Sequence, residues 1–339
     1  MAIILQTKSI YFNDITMLPR LGKVKSRKDV PNELYRVIVS PMLSVIGETF
    51  TIEAAKLGLS VALPRFIEIS QKIKLSSLFK QNKINNQQLC FISVGLNEDT
   101  NDLRVQKNQN WLIDIANGYI PQLEDSIVRL GGILTDSSYI KNLMVGNVIT
   151  VEGSDNLILK LKPYCDNLFI RVGIGNGSPC STSDNTAINR GQITELMECS
   201  ESRIYRKNEE NCFLVSDGGI KNAGYILKAF GAGASYVLMG GYFSKAFEAE
   251  TNIKGEYSYF GCASEKQNQL ANLDKHSEGK ENKINKEDLK PLSYLVKELW
   301  GGISSGISYS GYTSVSEFVG NGTFEIKQNS LPPKAKDRY

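Results

Sequence analysis

One thiol, one carboxylate and a set of glycines have the types and spacing to do chemistry together. Cys180 ends the run Gly173-Ile-Gly175-Asn-Gly177-Ser178-Pro-Cys180 and is followed by Ser181-Thr182. A thiol in a glycine-rich polar loop lies near backbone N–H groups that favour its thiolate, and a thiolate is a nucleophile. Thr182 is close enough in sequence to assist proton transfer. The other cysteines, Cys90, Cys165, Cys199, Cys212 and Cys262, show no CxxC spacing. Cys90 and Cys212 lie in or beside apolar runs and read as small core residues. Thiols so scattered through a long chain are expected to be reduced, as in an intracellular protein. His276 is the sole histidine, which argues against a zinc site or a histidine-based triad.

The glycines gather in two further places, Asp217-Gly218-Gly219 and Gly240-Gly241. Glycine lets backbone N–H groups approach an anion closely, although any single pair also serves as a tight turn. Ser178, Gly219, Gly240 and Gly241 together are expected to cradle one phosphate. A carboxylate beside such a nest is badly placed for the phosphate and well placed to accept hydrogen bonds from ribose hydroxyls, which is the expectation for Asp217. It lies too far ahead of the helical pattern Ala223–Phe230 to be that helix's N-cap.

Eight short apolar runs have strand length: Arg36–Val39, Leu59–Leu63, Cys90–Val94, Trp111–Ile115, Asn142–Val145, Leu168–Val172, Phe213–Ser216 and Tyr236–Met239. Nearly continuous apolar strands are those buried on both faces. Helical spacing appears between them at Thr51–Leu57, Gln122–Arg129, Asp155–Leu161 and Ala223–Phe230. Such alternation makes either a doubly wound sheet or a closed barrel, and the count of eight favours a single (β/α)8 barrel domain. Barrels carry their sites on the loops after the strands, which is where Asp114-Ile-Ala-Asn117-Gly118-Tyr119, Gly146-Asn147, the Cys180 loop, Asp217-Gly218-Gly219 and Gly240-Gly241 fall. A polar stretch, Glu256–Lys290, reads either as a disordered surface insertion or as a mobile flap over the mouth. Leu295–Leu299 belongs to a closing helix, and Pro332–Tyr339 to a loose tail.

Composition removes other classes. Hydrophobic residues make up 41% and charged residues 22%, and the net charge is +3 with Lys and Arg dispersed, so no nucleic-acid footprint is expected. The opening MAIILQTKSI is too short an apolar run for a secretory signal, and no run of about 18 apolar residues could span a membrane. A cytoplasmic location is expected.

Several stretches carry a resemblance to a known family. Tyr11-Phe-Asn-Asp-Ile-Thr-Met-Leu-Pro19, Ser26-Arg-Lys-Asp-Val30, Val172 to Cys180, Ser216-Asp-Gly-Gly-Ile-Lys221, Ala232–Gly241 and Gly301–Tyr312 resemble the IMP dehydrogenase/GMP reductase family. The resemblance implies a (β/α)8 barrel, a homotetramer, a catalytic cysteine and a nicotinamide cofactor. Asp114-Ile-Ala-Asn-Gly-Tyr119 looks like the reductase branch, as does the short stretch from Arg65 to Cys90, which leaves no room for the CBS-domain pair of most IMP dehydrogenases. The implied activity is NADPH-dependent conversion of GMP to IMP. Cys180 would attack purine C2, with Thr182 and a flap acid handling protons. Asp217 would hold the ribose hydroxyls; Ser178, Gly219, Gly240 and Gly241 would hold the phosphate; and Gly218 between them belongs to the same substrate-binding set. Gly261, Cys262, Ala263 and Ser264 match the segment that contacts the base. Asp114, Asn117 and Gly118 match the cofactor side, and the carbonyls of Gly175, Gly177 and Cys180 a loop for a monovalent cation such as potassium.

The chain also departs from that pattern. The flap glutamate expected after Ser277-Glu-Gly-Lys280 aligns with Lys283, leaving Glu281 two residues earlier as the candidate acid. Met42-Leu43 stands where Met-Asp is usual, Arg65 where a lysine is, Cys262 where a methionine is, and Ser183 where an arginine is. The alternatives are an IMP dehydrogenase lacking CBS domains, a relative acting on a modified or deoxy purine nucleotide, and a non-catalytic nucleotide-binding protein. The flap's lack of arginine argues against the first.

Overall fold

The computed structural model describes residues 8–96, 109–123, 125, 140–177, 182–261, 264–270 and 279–327. Twelve strands are described: β1 (Ile15–Met17), β2 (Val37–Val39), β3 (Ser60–Leu63), β4 (Cys90–Val94), β5 (Asn110–Ile113), β6 (Ile140–Val148), β7 (Cys165–Val172), β8 (Cys212–Asp217), β9 (Tyr236–Met239), β10 (Ser258–Phe260), β11 (Glu281–Lys283) and β12 (Phe324–Ile326). Strands β2 to β9 pair in parallel, in chain order, and β9 returns to pair with β2, closing an eight-stranded barrel. These eight are the apolar runs expected to be strands, and the fold is a (β/α)8 barrel. Strand β1 pairs antiparallel with β12, tying the two ends of the described chain together.

Strand alternation explains both the core and the site. Ile38, Ala62, Phe91, Leu112, Met144, Phe169, Val215 and Leu238, one from each barrel strand, cluster together as the interior. Their neighbours in sequence point outward into a second cluster shared with the helices. Side chains alternate with a period of two, so two residues further on the interior layer reads Ser93 on β4, Asp114 after β5, Arg171 on β7 and Asp217 on β8. The barrel is thus apolar at mid-height and polar at its C-terminal rim. Two residues in the other direction, Asn142 bridges Asn110 and Asn167 in a side-chain ladder at the opposite end.

Helices cover the outside. Glu48–Lys56, Val151–Leu161 and Ala223–Gly231 match the helical patterns read from sequence, and Leu295–Leu299 lies inside the helix Leu292–Tyr309. The remaining helical pattern, Gln122–Arg129, lies largely outside the described residues, as does the tail. Asn222 caps the helix Ala223–Gly231 by accepting from the Tyr225 N–H, so Asp217 is free of that duty. The stretch between Arg65 and Cys90 holds one helix, Ile69–Asn82. No helix among the described residues is long and apolar enough to cross a membrane.

The polar stretch 256–290 contains regular structure. Strands β10 and β11 form an antiparallel ribbon, and Glu265–Leu270 is a helix. The described part of this stretch is therefore folded rather than irregular throughout.

Candidate functional site

A buried arginine organises the rim. Arg171 Nη1 lies 2.9 Å from Asp114 Oδ1, and its Nε and Nη2 lie 2.9 and 2.8 Å from Asp217 Oδ2. Asn147 Nδ2 donates to the same Asp217 oxygen at 2.6 Å and to the Gly173 carbonyl at 2.5 Å. Burial alone would lower the arginine pKa, but the charges of Asp217 and Asp114 carry it upward, so Arg171 stays cationic. The three charged groups come from strand ends that are not all neighbours, and closure of the barrel brings them together. Gly146 lets Arg171 through: a Cβ there would sit 2.5 Å from the Arg171 Cβ. Asp217 meets this network through Oδ2.

The glycine loops pack on one another beside this network. Gly218 and Gly219 have φ of +90° and +73°, a region that side chains other than glycine rarely adopt. A Cβ on Gly218 would lie 3.0 Å from the Gly177 backbone nitrogen, so the loops after β7 and β8 are in contact. Gly240 and Gly241 follow β9, the neighbour of β8. A Cβ on Gly240 would strike Met42, while one on Gly241 would meet the ring and hydroxyl of Tyr259 at 3.5 to 3.6 Å. Nothing in the sequence had marked Tyr259. The loop after β7 is also pinned from the helix Gln192–Glu201: Gln192 Nε2 donates to the Val172 carbonyl at 2.5 Å, and its Oε1 accepts from Asn176 at 2.6 Å. On the other side, Gly118 N–H donates to the Asn147 carbonyl, and Tyr119 donates its hydroxyl hydrogen to Glu152.

The β10–β11 ribbon brings the polar stretch to the rim. Lys266 bridges Glu256 at 2.9 Å and Glu281 at 3.0 Å. Hydrogen bonds from Ser258 and from Lys266 hold the Glu281 carboxyl below its ordinary pKa. Lys280 approaches Asp184, in the short helix Thr182–Thr186 that follows the Cys180 loop.

The sequence matches the family described as the IMP dehydrogenase / GMP reductase domain over residues 9–331. The chain belongs to the IMP dehydrogenase / GMP reductase family. It is accordingly an oxidoreductase. Similar proteins include the GMP reductase of Vibrio atlanticus (strain LGP32), 26% identical over 94% of this chain and 95% of that protein. The GMP reductase of Onchocerca volvulus is 26% identical over 92% and 89%, and GMP reductase 1 of Mus musculus 25% over 92% and 93%.

Within this family member, Asp217 ends β8, Asp114, Asn117, Gly118, Gly175, Gly177, Gly218, Gly219, Gly240 and Gly241 follow barrel strands, and Gly261 and Ser264 flank the ribbon. Ser178, Cys180, Cys262 and Ala263 lie outside the described residues, and of Thr182 only the backbone is described. Arg171 and Asn147, which hold Asp217 in place, are the rim residues to which the sequence assigns no role. Arg65, at the departure from the usual lysine, donates from Nη1 to the Asp114 carbonyl at 3.2 Å and crosses over Gly95. Ser93 Oγ, in the same polar layer, is buried without a hydrogen-bond partner among the described residues, as a polar group awaiting a ligand would be. No cluster of three or more acidic, histidine or cysteine side chains that could hold a metal ion is present among the described residues.

Proposed function

We propose that the chain is a GMP reductase: a single-barrel enzyme, cytoplasmic and homotetrameric, that converts GMP to IMP and ammonia with NADPH. The observation that carries this reading is the Asp217–Arg171–Asp114 bridge. It supports a site with two ligand-facing carboxylates on either side of one fixed cation, as a nucleotide and a second hydroxyl-bearing ligand require. Asp217 Oδ1 would accept from the ribose hydroxyls, helped by Gly218. Backbone N–H groups of Gly219, Gly240 and Gly241, with Ser178, would hold the phosphate. Gly261, Cys262, Ala263 and Ser264 would border the base.

Cys180 would attack C2 of the purine, and the exocyclic amine would leave as ammonia from the covalent adduct. NADPH, bound on the side of Asp114, Asn117 and Gly118, would supply the hydride that C2 then accepts. Cleavage of the C–S bond would release IMP and the thiolate. Dividing the reaction through a covalent adduct lowers each barrier. Thr182 would carry the proton that the departing amine needs. Glu281 would act as the donor only from a state in which Lys266 has released it, since that ion pair keeps its carboxyl ionised. The carbonyls of Gly175, Gly177 and Cys180 would hold a potassium ion that steadies the loop. The lysine clamp on Glu281, the candidate flap acid, supports as a second reading a relative acting on a modified or deoxy purine nucleotide.

The test is direct. The protein is mixed with GMP and NADPH, and separately with IMP and NAD, while the nicotinamide absorbance is followed. Loss of absorbance in the first mixture alone is expected. A rise in the second alone would replace this reading with a dehydrogenase.

A further inference from the structure

The β10–β11 ribbon has two faces, and its register decides what each presents. Directly opposed residues of an antiparallel pair project from the same side. Ser258 opposes Lys283 and Phe260 opposes Glu281, while Tyr259 opposes Asn282 on the other side. The first face is engaged with the protein: Ser258 and Phe260 are buried, and Lys266 binds Glu281 there while lying 5.2 Å from the centre of the Phe260 ring. The second face looks at the glycine loop after β9, since Tyr259 lies within 3.5 to 3.6 Å of where a Gly241 Cβ would be. Neither Glu281 nor Lys283 shares that face. Asn282 does, and its Nδ2 is buried without a hydrogen-bond partner among the described residues. Buried amide donors are nearly always paired, and one left open on the face toward a glycine nest is placed for an acceptor that the ligand brings.

We infer that Asn282 donates a hydrogen bond from the flap to the phosphate of the bound purine nucleoside monophosphate. The inference rests on the purine-nucleotide reading given above. An uncharged amide suits the position: it can donate to an anion yet cannot release a proton at neutral pH, so this face of the ribbon binds rather than acts as an acid. An aspartate in its place would set a like charge against the phosphate.

The experiment measures dissociation constants of IMP, inosine and inorganic phosphate by titration calorimetry on the full chain, the Asn282→Leu variant and the Asn282→Asp variant. Asn282→Leu should weaken IMP and phosphate on the order of tenfold, as loss of one hydrogen bond to a charged group does, and leave inosine unchanged. Asn282→Asp should weaken IMP more than Asn282→Leu does, and added salt should narrow the gap. The aspartate variant keeps the shape of the side chain, so the test survives if the leucine variant fails to fold. IMP binding at the unaltered affinity in a folded variant would overturn the inference, and so would a parallel loss for inosine. If the unaltered protein binds neither IMP nor GMP, the purine-nucleotide reading itself fails. If it binds them and the variants match it, only the role of Asn282 fails.

Discussion

Replacing Glu195 with glutamine should flatten the pH dependence of stability. Glu195 sits on the helix Gln192–Glu201, fully buried, and neither carboxylate oxygen has a hydrogen-bond partner among the described residues. Burial pushes its carboxyl from 4.5 up to about 9, with the Arg190 charge opposing the rise and Glu198 adding to it. The folded protein therefore holds Glu195 neutral near pH 7, while the unfolded chain ionises it. Below pH 4.5 both states are protonated and the residue adds no pH dependence; from there to about pH 9 stability falls as pH rises, and beyond that the cost is constant. At about 1.4 kcal/mol per pH unit, the cost at pH 7 is on the order of 3 kcal/mol. Glutamine keeps the shape and does not titrate. Denaturant unfolding at steps between about pH 5 and 8 would give the free energy of each protein. The deficit of the unaltered protein should grow by about 1.4 kcal/mol per unit. The slope is the readout, because glutamine brings a buried amide of its own. Since Gln192 begins the same helix and pins the loop after β7, the variant should also keep turnover to higher pH. Parallel stability curves would refute the reasoning, for they would mean that Glu195 is ionised in the fold with Arg190 as its partner.

Three further outcomes are expected. Arg171→Met strands two buried carboxylates and should cost about 3–5 kcal/mol in denaturant unfolding, with part recovered on adding Asp114→Asn; an unchanged midpoint would remove Arg171 from the centre of the site. Cys180→Ser should abolish turnover while retaining nucleotide binding, and a 6-chloropurine nucleotide should label Cys180, with Cys262 the one competitor on peptide mapping. Cys90, Cys165, Cys199 and Cys212 should stay unlabelled, since burial raises the first three thiols to about 12 and the fourth to about 11; a label on Cys262 would transfer the nucleophile's role. Residues 264–290 should be cut by protease in the free protein and protected once nucleotide and NADPH are both bound, and equal cleavage in the two states would make the segment a plain surface insertion.

The barrel was legible because strands buried on both faces leave continuous apolar runs, and all eight were found within a few residues of their ends. Strand β6 extends beyond its apolar run at both ends, because the exposed Lys141 breaks the run near the start and Gly146-Asn147 breaks it before Val148. The helices Ile69–Asn82 and Gln192–Glu201 escaped notice. Their buried faces include Lys72 and Ser76 in one and Gln192, Thr194 and Glu195 in the other, so an apolar period is faint. Asp217 was legible from the glycines beside it, whereas Arg171 reads in sequence as a polar interruption near the end of a strand. A lone arginine acquires meaning only when closure of the barrel sets it between Asp114 and Asp217.

The sequence by itself determined the eight strands, the rim that gathers the glycine loops and the family, because hydrophobic period and motif order are local properties of the chain. Only the tertiary structure decided that Arg171 joins the two sides of the site, that Lys266 holds Glu281, and that Asn282 shares the face of Tyr259. Those facts depend on strand closure and on the register of two short strands far apart in sequence. A slip of one residue in that register would exchange every side chain between the faces of the ribbon.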